Sequence, residues 1–220
     1  MKLYQSILSP FASRCRIQIY AKGIDGIECC PPPGGMSSDE YKNHNPTGKM
    51  PALEVDGDVL GESEVICEYL EDRFPTPSLR PEGALDRAHV RLLSRVTDLY
   101  ILSPLFELLP HMNPNDRDQA VVDKNLALVK TNLAIWEDYL TRAGYSGGGY
   151  AVGDALTLAD CAMVPAFFVV VNALPAFGMA EPLAATPKLA QYWQAIQKNE
   201  SCSRVLAEMA EGFKARMSGA

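Results

Sequence analysis

Strand signals in this sequence stop at a segment rich in proline and turn residues, Pro75 to Gly83, and nothing beyond it reads as strand. Ahead of that segment, short strand and helix patterns alternate. Behind it, long amphipathic stretches follow one another, with a glycine-rich break at Ser146-Gly147-Gly148-Gly149. A chain patterned this way is expected to build an α/β unit over residues 1–78 and an all-helical unit over residues 86–216, with the proline-rich segment as linker.

Residues 2 to 5 read as a first strand, and Ser9-Pro10-Phe11 opens a helix that runs to about Lys22 and closes at Gly23. Pro31-Pro32-Pro33-Gly34-Gly35 can be neither helix nor central strand, and the loop it starts ends at Asn45-Pro46-Thr47-Gly48. Apolar alternation on both sides of Asp56-Gly57 predicts a β-hairpin over Ala52 to Leu60. From Glu62 to about Arg73, Val65, Ile66, Tyr69 and Leu70 recur at helical spacing until Phe74-Pro75 ends the pattern.

In the second half, helical stretches are expected from about Asp86 to His111 and from Asn115 to Arg142. The latter carries Val122, Leu126, Val129, Leu133, Trp136 and Leu140 on one stripe. Later helices follow Leu156-Thr157-Leu158-Ala159-Asp160 and start near Pro187 and Ser201. Thr157 with Asp160 three residues on has the spacing of a reciprocal capping box, a folding device.

Composition narrows the function. A net charge of −7, spread without long runs of one sign, lacks the basic footprint of a nucleic-acid binder. The most apolar stretch, Cys161 to Leu174, is shorter than a bilayer span and reads as a buried helix. The first residues carry no secretory pattern, so a cytoplasmic protein is expected. Most of the six cysteines are expected as free thiols, and three scattered histidines have no metal-ligand spacing.

Three short segments of the first unit each have a ligand reading and a bland one. Ser9 sits where a strand feeds a helix N-terminus, a place that favours negative charge, so its hydroxyl can donate to an anion or simply start the helix. Lys49-Met50-Pro51 precedes the hairpin, where a cis proline would leave the Met50 backbone free for a ligand; otherwise Pro51 is an edge-strand proline and Lys49 a solvated cation. Glu62-Ser63 opens the next helix, where Ser63 can hold a ligand carboxylate and Glu62 an ammonium, or Ser63 can act as the N-cap alone.

Taken together, SPFASR, NPTGKMPAL and ESEVICEYLEDRFP resemble, in order and spacing, the glutathione site of the cytosolic glutathione transferases, and VGDALTLAD is similar to that family's helix-start signature. The resemblance implies a thioredoxin-like glutathione-binding domain followed by a helical bundle domain. It also implies glutathione lying extended, with its cysteinyl backbone on Met50 beside cis-Pro51, its γ-glutamyl end on Glu62 and Ser63, and its glycyl carboxylate near Lys49. A homodimer and a role in detoxification come with the same resemblance.

The SPFxxR start resembles the serine-type classes such as tau, and also the omega class, which has cysteine at the position of Ser9. A hydroxyl there implies thiolate stabilisation and attack on a small hydrophobic electrophile, without metal. The electrophile's pocket is expected between Pro10 and Phe11 on one side and Tyr100, Ser103 and Glu107 on the other, with Pro104 kinking their helix. Three rivals stand beside this reading. VGDALTLADCAMVP is close to the zeta pattern of maleylacetoacetate isomerases, though SSCSWRVRI and the later arginine of that class are missing. A non-catalytic binding module of the same fold would not need all the site residues, and a thiol transferase would have to use Cys15, which reads as a buried, inert thiol.

Overall fold

The computed structural model describes residues 1–217. The first strand, β1 (Lys2–Tyr4), leads into helix α1 (Pro10–Lys22), followed by β2 (Glu28–Cys30), α2 (Asp39–His44), the hairpin β3 (Ala52–Val55) and β4 (Asp58–Leu60), and α3 (Ser63–Arg73). The sheet order is β2-β1-β3-β4, with β1 and β2 parallel and the other neighbours antiparallel. Parallel strands need a crossover, and α1 supplies it.

Alternation along β1 and β3 decides the two faces. Tyr4 pairs with Ala52, and with Tyr41 of α2 they form a buried cluster on one face, Tyr4 and Tyr41 meeting edge to face at 5.6 Å. Leu3 pairs with Leu53, both fully buried on the opposite face, the side of α1 and α3. The hairpin turns at Asp56 and Gly57, both at positive φ (51° and 95°), as a two-residue primed turn requires.

Helix α1 starts at the Ser9 N-cap with Pro10 behind it and stops at left-handed Gly23. It shows no clean apolar stripe, because Arg14, Arg16, Gln18 and Lys22 are buried beside Ala12, Cys15 and Ile19. Partners explain their burial. Gln18 donates to the Cys67 carbonyl and to Glu71 of α3, and Lys22 forms a fully buried ion pair with Glu71 at 2.9 Å. Glu71 also accepts from the Leu79 N–H, and Lys22 from the same pair reaches the Pro77 carbonyl, so the pair fastens α1, α3 and the linker. The short strand β2 and the helix α2 are absent from the sequence-based expectation. Each is only a few residues long, too short for periodicity to register.

Helices α4 (Ala84–Val96), α5 (Ser103–Leu108), α6 (Gln119–Arg142), α7 (Leu158–Ala173), α8 (Pro187–Ile196) and α9 (Glu200–Met217) complete the chain. The chain divides into two compact units, Met1–Leu79 together with α9, and Arg80–Asn199. This corrects the expected division, which assigns α9 to the helical unit; α9 packs on α1 instead.

The stretch expected as one helix from Asp86 to His111 is also corrected. It runs α4, a π-helical turn (Thr97–Leu102), α5 and a 3₁₀ turn (Leu109–His111). Pro104 has no N–H to give the Tyr100 carbonyl, and Asn132 Nδ2 of α6 donates to that carbonyl at 2.7 Å instead. Helix α6 begins later than the expected Asn115, because the Asp118 carboxylate caps the Ala120 and Val121 N–H groups.

The core of the helical unit is α7, buried from Leu158 through Phe168. Leu158–Phe177 is long and apolar enough to cross a membrane, but 78% of that window is buried inside the structure. Trp136 of α6 stacks on Phe167 of α7 with ring centroids 4.4 Å apart. At the start of α7, Thr157 and Asp160 form the reciprocal capping box. The Asp160 carboxylate, fully buried, accepts from the Ala151 N–H (2.8 Å), the Thr157 N–H (2.7 Å), the Thr157 hydroxyl (2.9 Å) and the Tyr192 hydroxyl (2.9 Å). Burial pushes its pKa up against the pull of those four donors.

Candidate functional site

Strand directions gather the three segments singled out from sequence. The C-terminal end of β1 lies beside the N-terminal end of β3, since Tyr4 pairs with Ala52, and the C-terminal end of β4 lies there too, since Leu60 pairs with Leu53. The Ser9 turn leaves β1, Met50-Pro51 enters β3, and Glu62-Ser63 leaves β4. All three therefore emerge at one end of the sheet.

Ser9 is the half-buried N-cap of α1, and its Oγ accepts from the Ala12 N–H at 3.3 Å. A hydroxyl that accepts one bond still has its own hydrogen to donate. Ser13, the other hydroxyl of this helix start, is buried and accepts from Arg16 Nη2 at 2.7 Å. Pro10 is buried, and Phe11 is half-buried with the Arg14 guanidinium 5.8 Å from its ring centre.

The Met50–Pro51 peptide bond is cis, and Met50 lies just ahead of the first β3 pair. The segment before it is braced by residues that sequence reasoning passed over. The Lys49 carbonyl accepts from the Tyr41 hydroxyl and from Asn45 Nδ2, both at 2.7 Å. Asn45 Oδ1 in turn accepts from the Thr47 N–H at 3.3 Å and its hydroxyl at 3.0 Å, while the Lys49 side chain is exposed. Asn-Pro is a turn signal, and the Asn45 side chain folding back on its own loop is what that signal means here.

Glu62, not Ser63, is the N-cap residue of α3, which corrects the capping expectation: Ser63 is the first helical residue and no side chain caps this helix. Glu62 is held at φ 62°, ψ 115°, which for a residue with a Cβ costs about 1–3 kcal/mol. It is exposed, whereas Ser63 is buried and accepts a weak bond on its carbonyl from Cys15 Sγ at 3.7 Å. Cys15 is itself fully buried between α1 and α3, with Cys67 Sγ 3.9 Å away. In the helical unit, Tyr100 lies in the π turn and Ser103 and Glu107 in α5, all three exposed. The wider π turn means that they do not share the plain α-helical spacing expected of them.

This end of the sheet thus offers a hydroxyl at a helix start, a cis-proline strand entrance and a second, uncapped helix start with a strained glutamate. It is an arrangement suited to an extended ligand carrying both charges. Residues 3–78 match the glutathione S-transferase N-terminal domain and residues 106–200 match its C-terminal domain. Glutathione S-transferase 1 of Zea mays is 33% identical over 95% of this chain and 97% of its own length. Maleylacetoacetate isomerase of Rattus norvegicus is 31% identical over 74% of each chain. The solved structure of glutathione S-transferase-I bound with lactoylglutathione superposes with a TM-score of 0.74 at 29% identity, covering 94% of this chain and 99% of that one. The chain belongs to the glutathione S-transferase family, with its thioredoxin-like sheet domain and helical domain.

Proposed function

We propose that this chain is a glutathione transferase in which the Ser9 hydroxyl donates a hydrogen bond to the sulfur of bound glutathione and holds it as thiolate for attack on a small hydrophobic electrophile. The observation that carries the reading is the convergence of Ser9, Met50–Pro51 and Glu62–Ser63 at one end of the sheet. In this reading the Met50 backbone pairs with the cysteinyl residue, Ser63 and Glu62 take the carboxylate and ammonium of the γ-glutamyl end, and Lys49 faces the glycyl carboxylate. The strain at Glu62 is the kind of outlier that structures retain at ligand sites. Pro10 and Phe11, beside Ser9 at the start of α1, are proposed as part of the electrophile's surroundings.

The energetics are of the right size. A free thiol titrates near ~8.5, and lowering that by about two units needs roughly 2.7 kcal/mol of preferential thiolate stabilisation. A hydrogen bond to a charged group supplies about 1.5–3 kcal/mol. One hydroxyl at a helix N-terminus therefore suffices, and no general base is required.

A second reading, a glutathione-dependent isomerase, draws on the likeness to the rat isomerase. A panel of aryl halides, enones, epoxides, peroxides, disulfides and maleyl acids separates the two. Glutathione binding is measured first by titration calorimetry, and no binding at millimolar concentration would sink both readings and leave a binding module. In Ser9→Ala, glutathione binding survives while turnover at neutral pH falls and partly recovers at high pH, because hydroxide then supplies the thiolate. Unchanged turnover and thiol pKa in Ser9→Ala would refute the assignment.

A further inference from the structure

The turn that presents Ser9 is held from outside the matched family domains, by the last helix. Arg16 of α1 is buried and donates through Nη2 to the Ile7 carbonyl at 2.9 Å, two residues ahead of Ser9, and to Ser13 Oγ. Its Nη1 donates to Glu208 Oε2 of α9, also at 2.9 Å. Glu208 accepts from the Tyr20 hydroxyl at 2.9 Å as well, and Arg204, one helical turn earlier, lies 3.7 Å over the Tyr20 ring. One turn past Glu208, α9 meets the same loop directly. A Cβ at Gly212 would lie 2.4 Å from Ile7 Cγ2 and 3.3 Å from Leu8 Cγ, so any larger residue there must push this loop or its Ile7 side chain away from α9.

Glycine so placed in a helix weakens it relative to alanine. Its presence where it touches Ile7 and Leu8, on the same helical face as Glu208, is explained by closeness to the turn rather than by helix stability. We propose that Glu208 and Gly212 of α9 are positioning residues for the Ser9 hydroxyl: Glu208 fixes Arg16 on the Ile7 carbonyl, and Gly212 lets α9 close against Ile7 and Leu8.

This inference rests on the reading of Ser9 as the donor to the thiol. It therefore calls for Ser9→Ala, Gly212→Ala, Glu208→Gln and the double variant Ile7→Ala/Gly212→Ala in the full-length protein. Each is assayed for glutathione affinity by calorimetry, for turnover of chlorodinitrobenzene across pH, for bound thiolate by ultraviolet absorbance, and for thermal unfolding. Gly212→Ala is expected to lower turnover at neutral pH by about tenfold, because displacements of an ångström can cost up to a hundredfold. Its pH profile moves to higher pH, and its glutathione affinity stays within about twofold, since the Met50 and Glu62 segments are untouched.

A glycine needed for packing alone predicts a different outcome, a lower unfolding temperature in Gly212→Ala with unchanged kinetics and pH profile. Removing the obstructing methyls in the double variant restores most of the lost turnover, and Glu208→Gln shifts the pH profile in the same direction as Gly212→Ala. If Ser9→Ala shows the loss but Gly212→Ala and Glu208→Gln keep the wild-type profile, α9 is packing alone and the inference fails by itself. If Ser9→Ala is also unchanged, the reading of Ser9 fails and takes the inference with it.

Discussion

Replacing Asp160 by alanine removes the acceptor for four buried donors: the Ala151 and Thr157 N–H groups and the Thr157 and Tyr192 hydroxyls. The hydroxyls can rotate, but the two amides cannot. At about 1–3 kcal/mol for each stranded donor, the amides alone cost about 2–6 kcal/mol, with about 4 kcal/mol as the central value. In a chain of 220 residues each kcal/mol moves the melting temperature by roughly 2–4 °C, so Asp160→Ala should melt roughly 8–16 °C lower. Circular dichroism and calorimetry at neutral pH read this directly. The sign of the pH dependence is equally specific. Burial raises the folded-state pKa of Asp160 above its unfolded value, so ionisation opposes folding. Its contribution is fully present below about pH 4, near the unfolded pKa, and is lost as pH rises through the raised folded value. Relative to Asp160→Asn, which has no such ionisation, wild type should therefore lose stability over that window and run parallel above it. A loss below about 1 kcal/mol in Asp160→Ala would mean that water replaces the carboxylate, and the count of stranded donors would be refuted. A pH-independent gap between wild type and Asp160→Asn would refute the electrostatic half.

Glu71→Ala leaves the Lys22 ammonium buried without its carboxylate and should cost about 3–5 kcal/mol in urea unfolding, whereas Lys22→Met/Glu71→Leu should recover most of it; equal losses in the single and double variants would show that the ion pair is not what matters. We further propose a homodimer, supported by the exposed apolar residues Leu85, Leu92 and Leu99, spaced seven apart along α4 and the π turn. Light scattering at micromolar concentration should give twice the chain mass, and replacing Leu92 by glutamate should shift it toward monomer; a monomer in the wild type would end that proposal.

Elements governed by local rules are legible in the sequence itself. Ser9-Pro10 and Gly23 bound α1 because capping and the left-handed stop depend only on adjacent residues, and Asp56-Gly57 makes its turn because its torsions demand it. Thr157 and Asp160 declare their box at a fixed spacing for the same reason. The site segments can be named from sequence but not assembled, since their meeting depends on β1, β3 and β4 pairing in one register.

Where a residue's partner lies far along the chain, sequence pattern says nothing about it. Arg16, Gln18 and Lys22 are polar residues that nothing in the local sequence marks as buried, yet all three are, because Glu208 lies 192 residues from Arg16 and Glu71 lies 53 from Gln18. The same distance hides the placement of α9, whose periodicity declares a helix but not the helix it packs on. Pro104 announces a disturbance, but whether it kinks the helix or is absorbed as a π turn depends on Asn132 reaching the Tyr100 carbonyl from a neighbouring helix. Local sequence specifies torsions and caps; burial of a charge and closure of a loop are settled only when the chain brings a partner to it, because desolvation is tolerable only where that partner stands.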